Sequence, residues 1–452
     1  MDIIFNSYVR RKLMSKKVNV GLIGYGTVGK GTAEILVHNK QDIFEKTGID
    51  ITLKTVADLK IDKTRLDETL SLCETVTNNA DDIINDPEID IVLELVGGYG
   101  FAKEIILKAL KAKKNVVTAN KALLALHGAE IFKAAQDNGV TIGFEGAVGG
   151  GIPLIGVLKE DLVGNNIKEI FGIINGTANY ILSSMEAEGK EFSEALKAAQ
   201  EKGYAEADPT FDIEGIDAAH KIAILASIGF KTLIPFDKVY IEGISNIKKV
   251  DIEFAKRLNC KIKLLAIAKK LDDCIEVRVH PTMLPNAEMM AQVSGVFNAV
   301  EFVGDNVDKT MYYGRGAGGK PTGSAVTADV VSIARDIVGG CTERVPVLGF
   351  AKEYDYYCPI RNIKDVKSKF YLRFSVLDEP GTLAKIAGIL GKYNISISQA
   401  IQPDNRAPGE VVTMVFMTHK TIANNIMNAI EEIDASDCVS DKTVAIRVKE
   451  LV

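Results

Sequence analysis

Short apolar runs alternate with amphipathic segments along the first third of the chain. Strand-like runs occur at 18–23, 51–57, 89–96, 115–118 and 140–144. Helical patterns lie between them, most clearly at 101–112 and 129–138. Apolar strands that alternate with helices indicate a doubly wound parallel sheet, and ligands bind such sheets at the carboxyl ends of the strands. The pattern therefore predicts an α/β fold of the Rossmann type with a ligand site at one edge of its sheet.

The middle of the chain follows a different pattern, in which helices no longer alternate regularly with strands. Strand-like runs at 169–174, 238–242 and 274–279 indicate an α+β domain with a mixed sheet. After the first of these runs, a polar turn at 175–180 leads into a helix at 181–188. The Asn and Thr side chains of this turn could bind a substrate or could cap the helix, and both interpretations stay open.

A second glycine-rich segment, 314–321, precedes a long apolar helix at 322–338. The backbone amides of this segment could bind a phosphate at the start of the helix, or the segment could be a flexible connector. We expect the helix to pack back onto the first domain.

The last part of the chain has a compact pattern of its own. Its strands and helices are predicted at 370–376, 382–393, 395–401, 411–418, 421–433 and 443–448. The resulting order β-α-β-β-α-β is that of a ferredoxin-like domain. The charged, proline-containing segment 345–366 is the predicted linker to it.

The first strand runs directly into the sequence Gly24-Tyr25-Gly26-Thr27-Val28-Gly29. Glycines in this order allow a tight turn and a close backbone approach to a pyrophosphate, which the following helix N-terminus attracts. The motif predicts a dinucleotide site. Asp58, at the end of the second strand, could bind a ribose hydroxyl of NAD. The basic residues after it, Lys60, Lys63 and Arg65, could instead bind the 2′-phosphate of NADP or lie in a solvated loop, so both cofactors stay open.

Composition excludes several classes of protein. The chain has 452 residues and a formal net charge of −6, and it has no basic stripe that would bind nucleic acid. It has no uncharged apolar run of about 18 residues, so no membrane span is predicted. The six cysteines form no C-x-x-C pair, which is typical of the reducing cytoplasm. Residues 1–17 lack the apolar core of a signal peptide and are interpreted as an extension, with an upstream start or an organelle address as alternatives.

The segment 203–221, GYAEADPTFDIEGIDAAHK, concentrates the candidate chemistry. It carries more carboxylates than a hydrophobic core would use. Asp217 and Lys221 are four residues apart, so they share one face of a helix. That face could hold a small zwitterion, with carboxylates for its ammonium group and a lysine for its reacting oxygen. A solvated loop that leads into a helix with one ion pair is the alternative.

These motifs together resemble those of the homoserine dehydrogenase family. In family order, over about residues 18–336, the matching segments are GLIGYGTVGKG, ELVGG, VVTANKALLA, EGAVGGGIP, INGTANYIL, GYAEADPTFDIEGIDAAHK and GRGAGGKPTGSAV. The resemblance implies a reversible NAD(P)-dependent reduction of L-aspartate 4-semialdehyde to L-homoserine, in the biosynthesis of threonine, methionine and isoleucine. It also implies a monovalent cation, Na⁺ or K⁺.

The resemblance extends to individual residues. Lys221 and Lys121 match the two active-site lysines. A lysine that acts as a base near neutral pH needs a lowered pKa, to which a second cationic lysine would contribute; both could instead stay charged and polarise the aldehyde oxygen. The predicted substrate ligands are Glu206, Asp217, Asp212 and Thr177. The predicted cofactor contacts are Gly24, Gly26, Thr27, Val28, Gly29, Asp58, Gly97, Thr118, Lys121, Gly203 and Gly318. The predicted cation ligands, a carboxylate with alternating carbonyls that suits a hard cation, are Glu145, Val148, Gly150 and Ile152.

The last domain resembles the ACT regulatory domain through the segments DEPGTLAKIAGIL and NISISQA. Gly381 is expected to offer backbone amides to the carboxylate of an amino-acid effector, and Asn394 to contact its polar groups. Threonine, the downstream product, is the expected effector, and truncation near Asp365 is expected to remove its effect. Because ACT units usually pair, a homodimer or homotetramer is expected. A dimerisation module without a ligand is the alternative.

The resemblance also suggests a domain division. The predicted boundaries are 1–17 for the extension, 18–150 for the dinucleotide-binding domain, 151–321 for the catalytic and dimerisation domain, 345–366 for the linker and 367–452 for the ACT domain.

Two other classes of protein share part of this pattern. A hydroxy-acid dehydrogenase with an ACT domain would need an arginine for the substrate carboxylate and a His–acid pair, for which His220 is the nearest candidate. An NAD-sensing regulator would keep the glycine motif but would not need the segment 203–221. The sequence therefore favours a homoserine dehydrogenase.

Overall fold

The computed structural model describes residues 16–62, 64–341, 344–351, 358–402 and 411–450. Residues 1–15 of the predicted extension, Lys63 and part of the predicted linker therefore lie outside the described residues. Backbone contacts divide the chain into two compact units. The first contains residues 1–167, 223–236 and 304–357, and the second contains residues 168–222, 237–303 and 358–452.

The first unit is built on a parallel sheet with the strand order β3-β2-β1-β4-β5-β6. Its strands are β1 (Lys17–Ile23), β2 (Asp50–Ala57), β3 (Thr75–Thr77), β4 (Ile91–Glu94), β5 (Asn115–Thr118) and β6 (Ile142–Gly143). Strand order reverses at β1, which has β2 on one side and β4 on the other, so the sheet is doubly wound as predicted. The short strand β3 was not predicted, because its three residues, of which only the last is buried, carry too little pattern.

Helices cover this sheet and extend its core. They are α1 (Thr27–His38), α2 (Lys40–Thr47), α3 (Glu68–Ser71), α4 (Asp81–Ile84), α5 (Gly100–Lys111), α6 (Lys121–Asp137) and α12 (Gly319–Gly339). Helix α12 packs against α1 so closely that a Cβ at Gly31 would lie 2.4 Å from the carbonyl carbon of Gly319. Helix α6 begins well before the predicted start at residue 129, because the Asn120 side chain caps it by accepting from Leu123 N at 3.1 Å.

The second unit contains a mixed sheet in the order β11-β7-β9-β10-β17-β13-β15-β14, with β8 beside β10 and β16 beside β13. Its strands are β7 (Ile167–Ile173), β8 (Tyr240–Ile241), β9 (Cys260–Lys270), β10 (Ile275–Pro285), β11 (Phe297–Gly304), β13 (Lys367–Leu377), β14 (Ile397–Ile401), β15 (Val411–Thr418), β16 (Thr421–Ile422) and β17 (Val439–Val448). Strand β12 (Asp308–Arg315) follows in the first unit. The α+β character expected for the middle of the chain is confirmed.

The remaining helices are α7 (Gly176–Glu188), α8 (Phe192–Glu201), α9 (Thr210–Ile213), α10 (Ile216–Phe230), α11 (Lys249–Arg257), α13 (Thr382–Lys392) and α14 (Ala423–Asp434). Among all helices of the described residues, none combines the length and the apolar character that a bilayer span requires.

The C-terminal β-α-β-β-α-β pattern is present, with the short strand β16 added. Its core joins Phe374, Phe416 and Ile386. Its last strand, β17, also pairs in parallel with β10, with Thr282 opposite Arg447 and Met283 opposite Val448. The end of the predicted linker is ordered as well, since Ile275 N donates to Pro359 O at 2.8 Å. The C-terminal region is therefore part of the same sheet as β9 and β10.

A buried lysine sits in the middle of this sheet. Lys263 on β9 is fully buried, and its ammonium group donates to Val293 O at 2.6 Å and to Asn179 Oδ1 at 3.3 Å. Neither partner is a carboxylate, and burial lowers the pKa of Lys263 to about 8.

We expect this lysine to make the stability of the protein depend on pH. Below pH 8 the folded state must keep a buried ammonium group, at a cost of about 3 kcal/mol for a pKa that lies about 2.5 below its usual value. Between pH 8 and about 10.5 the unfolded chain binds the proton that the folded chain has lost, so the free energy of unfolding should rise with pH. Urea unfolding of the parent and of Lys263→Met over this range checks it. If the difference in the free energy of unfolding between the parent and Lys263→Met does not change with pH, the prediction is wrong.

Candidate active site

A cavity of about 570 Å³ lies at the carboxyl ends of β1, β2 and β4 in the first unit. The glycine motif forms one wall through Gly24, Tyr25 and Gly26. The end of β2 forms another wall, with Asp58, Leu59 and Lys60. A cavity at this edge of a doubly wound sheet, at the strand where the order reverses, is where a dinucleotide binds.

The glycine motif fits the pyrophosphate of a dinucleotide. A Cβ at Gly29 would lie 1.9 Å from Gly24 O, so only glycine allows the helix to start this close to the strand. A Cβ at Gly26 would meet no atom within 4 Å, which leaves room for a ligand. Gly26 begins α1 without a side-chain cap, so the N–H groups of the first turn remain available to an anion. Gly318 begins α12 in the same way, and Gly319 approaches Thr27 O.

Asp58 has a fixed orientation on the cavity wall. Its Oδ2 accepts from Tyr25 N at 2.7 Å, and its Oδ1 accepts from Lys60 N at 2.8 Å. The carboxylate therefore ties the glycine motif to the end of β2. It retains acceptor capacity for a ribose hydroxyl, whereas Lys60 and Lys108 on the same cavity suit a phosphate.

Glu94, which the sequence analysis did not single out, organises the neighbouring strand ends. It is fully buried at the end of β4, and its carboxylate accepts from Val96 N at 2.9 Å, Gly97 N at 3.1 Å and Thr118 Oγ1 at 2.7 Å. Burial raises the pKa of Glu94, while these hydrogen bonds act in the opposite direction. The side chain of Thr118, a predicted cofactor contact, is thus committed to Glu94. Its position at the end of an apolar run was the only signal for Glu94.

The turn held by Glu94 leaves its glycines exposed. Gly97 and Gly98 have φ values of 80° and 77°, and a Cβ at either would meet no atom within 4 Å. Lys121 is half-buried and begins α6 immediately after the cap Asn120, at the carboxyl end of β5. Gly97 and Lys121 therefore lie at strand ends on the edge of the sheet where the prediction put them.

Glu145 lies in a tight backbone cradle in the first unit. Its Oε1 accepts from Leu154 N at 2.6 Å and Ile155 N at 2.9 Å, and its Oε2 accepts from Gly156 N at 2.7 Å. A carboxylate has about four acceptor positions, so one remains for a cation. Between Glu145 and these amides, Gly149 and Gly150 turn the chain with φ values of 77° and 57°. Val148, Gly150 and Ile152 lie in the segment between Glu145 and these three amides.

Titratable side chains surround this carboxylate. Asp329 accepts from Glu145 N at 2.7 Å, and loss of solvent together with the Glu145 charge raises the pKa of Asp329. The Lys159 ammonium lies 4.2 Å from the centre of the Phe144 ring, and loss of solvent lowers the pKa of Lys159. Among the described residues no three His, Cys, Asp or Glu side chains come together as a metal site, so a cation here would depend mostly on carbonyl oxygens.

The predicted pair Asp217 and Lys221 is formed on α10 in the second unit. The Lys221 ammonium donates to Asp217 Oδ2 at 2.7 Å and to Ile174 O at 2.7 Å. The Lys221 side chain is 9% exposed and the Asp217 side chain is 5% exposed. Both side chains are buried, so this ion pair is not part of a solvated loop. The helical spacing of four residues was the signal that found it.

Asn175 joins a second carboxylate to this pair. Its Nδ2 donates to Asp217 Oδ2 at 2.9 Å and to Asp212 Oδ1 at 2.7 Å. Burial raises the pKa of Asp212, the hydrogen bond from Asn175 lowers it, and the Asp217 charge raises it. The Asn and Thr side chains of this turn were predicted either to bind a substrate or to cap the helix. Asn175 caps α7 and also contacts both carboxylates.

Of the other predicted residues of the second unit, Thr177 faces Asp212, and its hydrogen bond lowers the pKa of that carboxyl. Thr177 is buried and donates its hydroxyl to Tyr204 O at 2.7 Å. Glu206 is exposed, and its backbone carbonyl accepts from Gln200 Nε2 at 3.2 Å. Gly203 is exposed with a φ of 71°. Their roles in substrate and cofactor binding stay predictions.

A cavity of about 430 Å³ lies in the C-terminal region, lined by residues 377–383 with Gln402 and Met414. Gly381 belongs to its wall and begins α13 without a side-chain cap, at a φ of 99°. Asn394 is exposed, follows the end of α13 with a φ of 57°, and is not a residue of this cavity wall.

Comparison with known proteins agrees with a dinucleotide cavity in the first unit. A family model for homoserine dehydrogenase matches residues 153–331, and the model for the homoserine dehydrogenase NAD binding domain matches residues 24–145. The homoserine dehydrogenases of Pseudomonas aeruginosa and Neisseria gonorrhoeae are each 44% identical to this chain over 96% of its length. The alignments cover 100% of the first protein and 99% of the second. This chain belongs to the homoserine dehydrogenase family. It is therefore an oxidoreductase with a nicotinamide-binding domain, and an ACT domain matches residues 370–435.

Solved structures of homoserine dehydrogenases share the fold. The crystal structure of the Thiobacillus denitrificans protein matches with a TM-score of 0.90 at 44% identity, over 96% of this chain and 99% of that one. The Staphylococcus aureus protein at pH 7.5 matches with a TM-score of 0.74 at 30% identity, over 97% of this chain and 100% of that one.

Proposed function

We propose that Lys221, supported by Asp217 and Lys121, serves the reversible reduction of L-aspartate 4-semialdehyde to L-homoserine. The observation that carries this assignment is the buried Lys221 ammonium, held at 2.7 Å from Asp217 in a segment rich in carboxylates. The Asp217 charge compensates the ammonium, which is the form that can donate a proton. Glu206, Asp212 and Thr177 are the proposed further ligands of the amino-acid substrate.

The chemistry requires a hydride at the aldehyde carbon and a proton at the aldehyde oxygen. A reduced nicotinamide supplies the hydride when it is bound. Lys221 stabilises the negative charge that develops on the oxygen and gives it a proton, and the reverse reaction returns that proton to Lys221. Lys121 is the second proposed catalytic lysine.

The direct test is absorbance at the nicotinamide band with homoserine as the substrate and NAD or NADP as the acceptor. We expect oxidation of homoserine and no oxidation of 3-phosphoglycerate, which a hydroxy-acid dehydrogenase would use. The ratio of kcat/KM for the two cofactors decides between a ribose hydroxyl at Asp58 and a 2′-phosphate beside Lys60. Absence of turnover with either cofactor would refute the proposal.

Further properties are proposed with it. The proposed cation ligands are Glu145 with the carbonyls of Val148, Gly150 and Ile152. Turnover measured during titration with Na⁺ or K⁺ after dialysis tests them.

A cytoplasmic location is supported by the free state of the cysteines among the described residues. A homodimer or homotetramer is supported by β14, an edge strand whose central residues are exposed.

Threonine is the proposed effector of the ACT domain, with its carboxylate at the amides of the Gly381 turn. Allosteric couplings of 1–3 kcal/mol correspond to about 5- to 150-fold effects, so we expect threonine to inhibit turnover at least several-fold. Gly381→Asp should abolish this inhibition, because the new carboxylate occupies the helix N-terminus and repels that of the effector. Aspartate is also a favourable cap and tolerates positive φ better than most residues.

Gly388→Asp is the matched control, since Gly388 lies on the exposed side of α13 and a Cβ there meets no atom within 4 Å. This variant adds the same charge to the same helix away from the cavity, so it should keep the threonine response. Threonine titrations of turnover are compared for both variants, with turnover in the absence of threonine as the reference. Equal inhibition of both variants would place the effector elsewhere.

A further inference from the structure

Asn175 has each of its side-chain atoms committed. Its Oδ1 accepts from Ala178 N at 2.7 Å and so caps α7, and its Nδ2 uses its two N–H groups on Asp212 and Asp217. Because Oδ1 must accept from the helix, the amide cannot turn around without losing the cap. A single buried amide, 5% exposed, therefore fixes both carboxylates to the start of α7.

The two carboxylates would repel each other without this amide. Asp212 is half-buried and Asp217 is buried, so little water can screen their charges. The Lys221 ammonium donates to Asp217 Oδ2 at 2.7 Å. The charged groups that face Asp212 are Asp217 and Lys221, both on α10, and the polar groups are Asn175 and Thr177.

We infer that Asn175 is a positioning residue, whose amide holds Asp212 and Asp217 in fixed orientations beside the Lys221 ammonium. The inference rests on the proposed function, in which this cluster receives the amino-acid substrate. The inference assigns Asn175 a role beyond capping. Capping alone would be expected of this residue even in a protein without catalysis.

Substitutions can separate the two roles. Serine and aspartate cap helices about as well as asparagine, but neither offers the pair of N–H donors. We expect Asn175→Ser, which keeps the cap, to lose less thermal stability than Asn175→Ala and to lower kcat/KM for homoserine about 10- to 100-fold, the loss typical of a misplaced reactive group. Asn175→Asp, which adds a third carboxylate, should lose more. Asn175→Ala should lose activity and, in addition, thermal stability.

The pH dependence distinguishes positioning from simple structural support. Removal of the hydrogen bond that lowers the pKa of Asp212 should move the acid limb of the kcat/KM profile to higher pH in Asn175→Ser. Titration of ¹³C-labelled aspartate carboxyl groups by NMR measures the same shift without turnover, with Asp212→Asn identifying the resonance.

The outcomes separate this inference from the proposed function. If Asn175→Ser has the kcat/KM, the acid limb and the Asp212 titration of the parent, Asn175 is only a cap and the inference fails. If the parent itself does not oxidise homoserine, the proposed function fails, while the Asp212 titration still decides whether the amide controls that carboxylate.

Discussion

Lys221→Ala is expected to lose turnover by about 10²- to 10⁴-fold while it keeps its affinity for the nicotinamide cofactor. The magnitude is that of a general acid or base removed from an active site. Cofactor affinity should remain because the cavity that fits the dinucleotide is formed by residues of the first unit, whereas Lys221 belongs to the second. Steady-state kinetics with homoserine and the fluorescence of bound NADH or NADPH measure the two quantities.

Two further variants test whether the loss of turnover is only a loss of folding stability. Lys221→Ala removes the cation that compensates the buried Asp217 charge, and an uncompensated buried charge is destabilising. The double variant Lys221→Ala with Asp217→Asn removes that charge and should recover thermal stability without recovering turnover. Lys197→Ala, on the exposed face of α8, should behave as the parent. A Lys221→Ala variant that keeps more than a third of the parent kcat would exclude Lys221 as the proton-transfer residue.

Local sequence signals predicted the parts of the site that depend on neighbours in the chain. The glycine motif fixes the turn between β1 and α1, and the cavity lies beside it. The spacing of Asp217 and Lys221 fixes their ion pair, because residues four apart share a helix face. Both features are determined within a few residues, and so a pattern in one segment is sufficient to find them.

Features that depend on distant segments were not predictable in this way. Asn175 meets Asp217 across 42 positions in the chain, and Thr118 meets Glu94 across 24. The sequence around Asn175 is equally consistent with a helix cap alone, because the cap is a local contact. The contacts with the carboxylates are tertiary and leave no local signal. Glu94 lies in an apolar run, where the pattern assigns it to a strand and gives no sign of the turn that it holds.

The attachment of the C-terminal region is the largest tertiary feature that the sequence did not indicate. The segment before the C-terminal region is predicted as a linker. In the structure, β17 pairs with β10, and buried ion pairs join the C-terminal region to the rest of the second unit. Truncation near Asp365 would therefore unpair an edge of β10 and leave Asp251 and Glu288 without their cationic partners. Point substitutions in the effector cavity test regulation more cleanly than the truncation does.

The ion pair between Arg373 on β13 and Asp251 on α11 makes this attachment measurable. Arg373 is 2% exposed and Asp251 is fully buried, with Nε to Oδ1 at 2.7 Å and Nη2 to Oδ2 at 3.3 Å. Tyr371 donates to the same carboxylate at 3.0 Å, and burial beside Asp251 raises the pKa of Tyr371. A carboxylate so far from solvent depends on the guanidinium for its charge balance.

We therefore expect Arg373→Met to lower the free energy of unfolding by about 3–5 kcal/mol, the usual cost of an unpaired buried charge. Adding Asp251→Asn should restore most of this loss, because the amide keeps the shape of the carboxylate without its charge. Lys248→Met is the control: it breaks the exposed pair with Asp441, and surface pairs contribute at most about 1 kcal/mol. Urea unfolding of the four proteins gives the comparison. If Arg373→Met and Lys248→Met cost the same, the buried pair does not hold the C-terminal region in place, and the continuous sheet alone must do so.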